Sequence, residues 1–151
     1  METEIKNIIE EFLGKIGFDF SEVSSELDMD SGSFWFSLGS KDSNFLIGKD
    51  GETIQALNFL LKRFLEKKYK DKTPHVTLDI NNYQKAKVDK IKTIAHMMSE
   101  RARFFKSKIE LEPMNSFERR IVHEYVSKHA DLSSESAGFG KDRHIVISFV
   151  R

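Results

Sequence analysis

Apolar and polar residues follow two rhythms along this chain. Ile5, Ile8, Ile9, Phe12, Leu13 and Ile16 recur at steps of three and one. Side chains at that spacing share one face of a helix, so the pattern predicts an amphipathic α-helix that Gly17 ends. From Val23 the period becomes two: Val23, Ser25, Leu27 and Met29 alternate with polar neighbours. Asp30-Ser31-Gly32-Ser33 is a turn sequence. Phe34, Phe36 and Leu38 then alternate, with Trp35 and Ser37 on the opposite face. Two such runs around a turn predict a β-hairpin.

A short apolar piece, Asn44-Phe45-Leu46-Ile47, is closed by Gly48 and Gly51, and Ile54, Leu57, Leu60, Leu61, Phe64 and Leu65 then share one helical face. His75 to Asn81 alternates once more, with Val76, Leu78 and Ile80 on one side, and Asn81 or Asn82 is a suitable cap for the next helix. Val88, Ile91, Ala95, Met98, Ala102 and Phe105 step by three and four, which predicts a long amphipathic helix of roughly 25 residues. Ile109-Glu110-Leu111 reads as a short strand that Pro113 breaks. Asn115 or Ser116 caps a helix over Phe117–His129, and His144 to Val150 is a closing strand. The order is α-β-β-α-α-β, a long helix, then β-α-β-β. This predicts an α+β protein of two small units, residues 1–81 and 109–151, joined by an amphipathic helix over 82–108.

Composition narrows the class. The 151 residues include 24 Lys plus Arg, 24 Asp plus Glu and no cysteine. A disulfide framework, a thiolate metal site and a cysteine nucleophile are therefore excluded. No apolar run is long enough to span a bilayer, and the acidic start Met1-Glu2-Thr3-Glu4 lacks the pattern of a signal peptide. A cytoplasmic protein is expected. The zero net charge hides an asymmetry: residues 1–30 carry −7 and residues 82–108 carry +6. A polyanion would be drawn to the second segment and repelled by the first. Charged helices solvating their outer faces would give the same count.

The most informative stretch is Ile47-Gly48-Lys49-Asp50-Gly51-Glu52-Thr53-Ile54. Two glycines three apart let the backbone turn sharply and let a ligand approach it. The helix after them presents free N–H groups and a positive dipole end to an anion, and Lys49 adds a mobile charge. Asp50 and Glu52 suit the helix start but oppose the same anion. A lone pair of glycines at this spacing is more often a plain tight turn. In its context of hairpin, helix and closing strand, however, residues 1–81 resemble a KH domain of the type II arrangement. The resemblance implies binding of single-stranded RNA or DNA, with the backbone at the glycine loop and the bases in an apolar groove. The walls expected for that groove are Ile47, Ile54 and side chains of the Val76–Ile80 strand.

Arg119 and His123 stand one helical turn apart and so point the same way. A permanent cation beside a planar ring with N–H donors can grip phosphate and stack on a base. An ion pair and a packed histidine are the ordinary alternative. Arg120 sits about 100° round the helix. Pro113-Met114-Asn115-Ser116-Phe117-Glu118-Arg119-Arg120-Ile121-Val122-His123 resembles the opening of the single-strand-binding domain named for its R-xxx-H motif. Glu135 to Gly138 and Arg143 to Ile147 resemble its closing strands. Ser116 departs from the usual proline, and Phe139-Gly140-Lys141-Asp142 from the usual acidic-proline stretch. A KH unit, a linking helix and this domain, in that order, resemble the Jag family (SpoIIIJ-associated proteins). The resemblance implies a bacterial RNA-binding regulator, post-transcriptional or related to the cell envelope. It also implies pairing with a small single-KH protein or self-association. The residues expected to contact nucleic acid are Ile47, Gly48, Lys49, Asp50, Gly51 and Ile54 in the first unit. In the second they are Arg119, Arg120, His123, Lys141 and Arg143.

Other chemistry finds less support. His123-Glu124 with His129 suggests a zinc hydrolase, but His129 falls about 240° round the helix from His123, where one ion cannot reach both. No metal site, cofactor motif or catalytic constellation is legible, and no enzyme is expected. Phe12, Phe64 and Phe105 fall on core faces by spacing, whereas Phe45 and Phe139 lie near the two candidate sites and suit base stacking. The competing class is a protein-interaction scaffold that uses the KH surface, with little nucleic-acid binding.

Overall fold

The computed structural model describes residues 1–151, which form two compact units, Met1–Lys85 and Ala86–Arg151.

The first unit runs α1 (Glu2–Ile16), β1 (Ser24–Asp28), β2 (Ser33–Leu38), α2 (Ser43–Ile47), α3 (Glu52–Tyr69) and β3 (Val76–Ile80), and ends in the first turn of α4 (Tyr83–Phe105). Its sheet has the order β1-β2-β3. Strand β1 is antiparallel to β2, with Glu26 opposite Trp35, and β2 is parallel to β3, with Phe36 opposite Leu78. A parallel pair cannot be joined by a tight turn, and α2 and α3 supply the crossover. Phe36, Leu38, Leu78 and Ile80 share one sheet face and pack with Ile5, Ile9 and Leu13 of α1 and Ile54, Leu57, Leu61 and Leu65 of α3. The far end of α3 is tied to the start of α1: the Tyr69 hydroxyl donates to Glu4 at 2.6 Å, and Lys68 pairs with the same carboxylate. Burial and then the Glu4 contact push the Tyr69 phenol up to about 12, while Lys68 and Tyr69 hold Glu4 below its ordinary value.

Three expectations change here. Leu27 and Met29 are exposed, because β1 is the edge strand and the helices do not cover it. Phe64 is 53% exposed; the buried line of α3 runs through 54, 57, 61 and 65, and Leu60 and Phe64 form a shoulder beside it. Asn81 and Asn82 do not cap α4. Both take left-handed backbone conformations, and the Asn81 amide bridges the backbone of Ser40. The cap is Asp79, buried at the end of β3. Its carboxylate accepts the N–H groups of Gln84 and Lys85 at 2.7 and 3.1 Å, and that of Ile80 at 2.8 Å. A carboxylate at a helix start satisfies orphan donors and meets the positive dipole end.

The second unit contains the rest of α4, then β4 (Lys108–Glu110), α5 (Ser116–Ser127), β5 (Leu132–Ala137) and β6 (His144–Phe149). Its antiparallel sheet has the order β4-β6-β5. Ile145 and Ile147 of β6 are fully buried against Val122 and Val126 of α5 and Ile91, Ala95 and Ala102 of α4. The long helix is therefore a wall of this core, and the division between units falls near its start. Phe105 is 63% exposed, since α4 outruns the core before Lys106, at φ 49°, ends it. Arg103 fastens α4 to the turn before β5. Its guanidinium donates to both Asp131 oxygens, at 2.7 and 3.0 Å, with Glu100 and His129 alongside.

The charge asymmetry is partly neutralised inside the fold. Glu4, Glu11, Glu22 and Glu26 of the acidic segment pair with Lys68, Lys15, Lys6 and Lys85. In the basic segment Lys87 pairs with Glu118, and Arg103 with Asp131. No helix is long and apolar enough to cross a membrane.

Candidate functional site

The glycine turn lies between α2 and α3. Gly48 has φ 75° and ψ −179°, a conformation that only glycine adopts readily. Lys49–Gly51 form one 3-10 turn, with Asp50 at φ 54° and Gly51 at φ 79°. Helix α3 starts at Glu52 with Gly51 as its cap, and no side chain bonds its first amides. The turn is closely packed from within. A Cβ on Gly48 would stand 2.9 Å from the Thr53 nitrogen and against its hydroxyl; one on Gly51 would stand 2.9 Å from the Tyr83 hydroxyl. Gly51 is buried, Ile47 and Gly48 are half-buried, and Lys49 and Asp50 are exposed. The outward face is thus Gly48-Lys49-Asp50.

The groove walls need correction. Ile54, Leu78 and Ile80 are core residues with almost no exposed surface, so Ile54 braces the turn from beneath and cannot touch a ligand. The β3 side chains are drawn inward because α3 covers that sheet face. Open surface near the turn is supplied by Phe45, which is 70% exposed and stacked on Phe18 with ring centroids 6.4 Å apart. An open pocket of about 410 Å³ on the N-terminal side of α2 is lined by Asp19, Phe20, Ser21, Gly39, Ser40 and Lys41.

In the second unit Asn115 starts α5 with a reciprocal cap. Its side chain accepts the Glu118 N–H at 3.0 Å, and the Glu118 carboxylate accepts the Asn115 N–H at 3.2 Å. The other Glu118 oxygen meets Lys87 at 2.8 Å. This fixes the first turn, and with it the direction of Arg119 and His123. Arg119 Nη1 donates to the Met114 carbonyl at 2.6 Å. His123 is held at both ends, Nδ1 to Ser134 Oγ at 2.7 Å and Nε2 to Ser136 Oγ at 3.1 Å. One ring nitrogen must donate to a serine and the other accept from one, so the bonded ring is neutral. Burial, and then the charge of Arg119, push the His123 pKa below its ordinary value. The ring therefore has no N–H left over for phosphate; it offers a fixed face, and Arg119 carries the charge.

The other expected cations divide. Arg120 lies 3.8 Å from Glu124 and over the Phe117 ring at 5.7 Å, on another side of α5. Arg143 Nη1 donates to the Gly138 carbonyl at 2.9 Å, while its own carbonyl accepts the Met114 N–H at 3.1 Å. Met114 thus links Arg119 to the loop that carries Lys141, which is exposed. The pattern reading missed Tyr83, Met114, Ser134 and Ser136. For the serines a signal existed: they continue the inward face of Leu132 along β5, where polar side chains need a buried partner. Tyr83 is remote in sequence and a carbonyl leaves no trace in residue type, so neither was discoverable.

Comparison with known proteins matches residues 89–149 to the R-xxx-H domain. The chain is an R-xxx-H domain protein related to RNA-binding protein KhpB. It is 29% identical over 136 residues to RNA-binding protein KhpB of Clostridium symbiosum, covering 90% of this chain and 58% of that protein. It is 36% identical over 108 residues to that of Bacillus subtilis (70% and 51%), and 25% identical over 126 residues to that of Streptococcus pneumoniae (83% and 38%). The chain spans about half the length of the first two. The Jag-family resemblance is borne out. The R-xxx-H domain begins in α4 and contains Arg119, His123, Lys141 and Arg143.

Proposed function

We propose that this chain binds single-stranded RNA through two modules, a type II KH domain over residues 1–81 and the R-xxx-H domain, and regulates by occupancy without altering the RNA chemically. The observation that carries the reading is the Arg119–His123 pair, pre-set on α5 by Met114, Ser134 and Ser136 inside a domain whose presence implies nucleic-acid binding. The relatives' name, RNA-binding protein, supports RNA as the polymer. The KH assignment is supported by the element order, the β1-β2-β3 sheet with its antiparallel and parallel pairs, and the glycine turn between α2 and α3.

In this reading Arg119 spends one donor on Met114 and keeps the rest of its fork for a phosphate, with Lys141 and Arg143 adding charge nearby. The His123 ring gives a flat surface. In the first module the amides around Gly48 and Lys49 meet the sugar-phosphate chain, and Asp50 weakens that contact. Each module alone needs only modest affinity, because tethering raises the effective concentration at the second. Fluorescence anisotropy with single-stranded RNA, single-stranded DNA and duplex tests the reading. Single strands should bind more tightly than duplex, and Arg119→Ala with His123→Ala should weaken RNA binding without changing the circular dichroism. Wild-type affinity in that double variant would overturn it.

A second reading, a protein-interaction scaffold, is favoured by one different surface. Leu60 and Phe64 on α3 stay exposed beside Ile8 and Phe12 on α1, around an open apolar cavity of about 300 Å³. Such a shoulder suits a protein partner, a small KH-domain protein or a second copy. Light scattering after gel filtration addresses it: a monomer at every concentration speaks against the second copy.

A further inference from the structure

Phe139 is 90% exposed, more than any other large apolar side chain in the chain. It sits between β5 and β6 on a loop held firmly from several sides. Gly138 has φ +82°, and a Cβ there would meet the Asp142 carbonyl at 2.9 Å. The Asp142 N–H donates to the Phe139 carbonyl and the Arg143 N–H to the Gly140 carbonyl, closing a 3-10 turn over Gly140–Asp142. The Arg143 guanidinium clamps the Gly138 carbonyl at 2.9 Å. A stiff loop that holds an aromatic ring in water loses favourable burial, which a ligand can restore.

Both ends of the loop lead to the same place. On the β5 side Ser136 holds His123. On the β6 side the Arg143 carbonyl holds the Met114 N–H, and the Met114 carbonyl holds Arg119. The ring is thereby set beside the Arg119–His123 pair, with Lys141 two residues away. A flat apolar surface flanked by cations suits an unpaired base whose phosphates the cations neutralise.

We infer that Phe139 is a nucleobase platform, stacking an unpaired base next to the phosphate held at Arg119. This rests on the RNA-binding reading above and adds to it a seat for a base.

The test compares the full chain with Phe139→Ala and Phe139→Trp on two probes, an oligouridine of about ten nucleotides and an abasic ribose-phosphate strand of the same length. Phe139→Ala should weaken oligouridine binding at least about fivefold, the lower end of the loss per stacked base, and leave the abasic strand within about twofold of wild type. Phe139→Trp should keep oligouridine affinity, and its added fluorescence should be quenched on binding. Equal losses on both probes, or unchanged oligouridine affinity in Phe139→Ala, would overturn the platform. So would an alanine variant whose only change is in self-association, which would make the ring a protein contact. Failure of the wild-type chain to bind oligouridine would remove the RNA-binding reading itself. The side chain contacts little, so thermal melts of the variants should overlay the wild type.

Discussion

The glycine turn and the Arg119–His123 pair organise polar groups in opposite ways. At the turn the backbone is constrained and the side chains are loose: Gly48, Asp50 and Gly51 take positive φ, while Lys49 reaches into solvent. At the pair the backbone is ordinary helix, and the side chains are pinned by a carbonyl and two serines. A site of the first kind fails when its backbone is disturbed and tolerates exchange of its exposed residues. A site of the second kind is the reverse, sensitive to contacts one step removed from any ligand.

That contrast can be broken most forcefully at Gly51. Valine there meets both a left-handed φ and Tyr83, so Gly51→Val should lower the stability of the first unit by about 2–4 kcal/mol, from backbone strain and overpacking together. Urea unfolding followed by circular dichroism measures this, and an unchanged midpoint would show that Tyr83 does not pack as described. Next in size is Arg119→Ala. It should leave the melt in place and reduce single-stranded RNA affinity about tenfold, the scale of a lost charge-assisted contact. It should also flatten the slope of log K against log salt by about 0.7. The wild-type slope should lie near −2 to −3 if three or four phosphates are neutralised, at about 0.7 each; a flat profile favours the scaffold reading. Lys49→Asp should have a smaller effect, about three- to fivefold on affinity, because an exposed lysine is a screened point charge.

The smallest effect concerns protons. Burial holds the His123 pKa below its ordinary value, and the unfolded chain takes up the proton near the usual value of about 6.5. Between the two the unfolded state binds more protons, so stability rises with pH there and is lost as pH falls from about 6.5 toward the folded value. His123→Gln should remove that part of the melting temperature's pH dependence. Replacing Ser134 and Ser136 by alanine should move the His123 pKa back toward its ordinary value in an NMR titration. No movement would mean that the serines do not hold the ring.

Periodicity exposes nearly the whole order of elements, because each helix and most strands bury one face of a single core. It fails where burial depends on position in the assembly. Leu27 alternates correctly but lies on an edge, and Phe105 is in phase but beyond the core it was expected to enter. Arg119, His123 and the glycine pair are visible because their chemistry is written in residue type. Asp79 is hidden as a cap because the chain turns left-handed at Asn81 and Asn82, placing a strand residue over the mouth of α4. Ile54 is misplaced by its pattern because spacing alone does not separate the floor of a turn from its surface.

The anchor for Arg119 is a peptide oxygen, and this makes it resistant to drift. Met114 can be exchanged for almost any residue without deleting the acceptor. The guanidinium would lose its support only if the chain path before α5 were re-routed, so the support persists through neutral change that a comparison of side chains never registers.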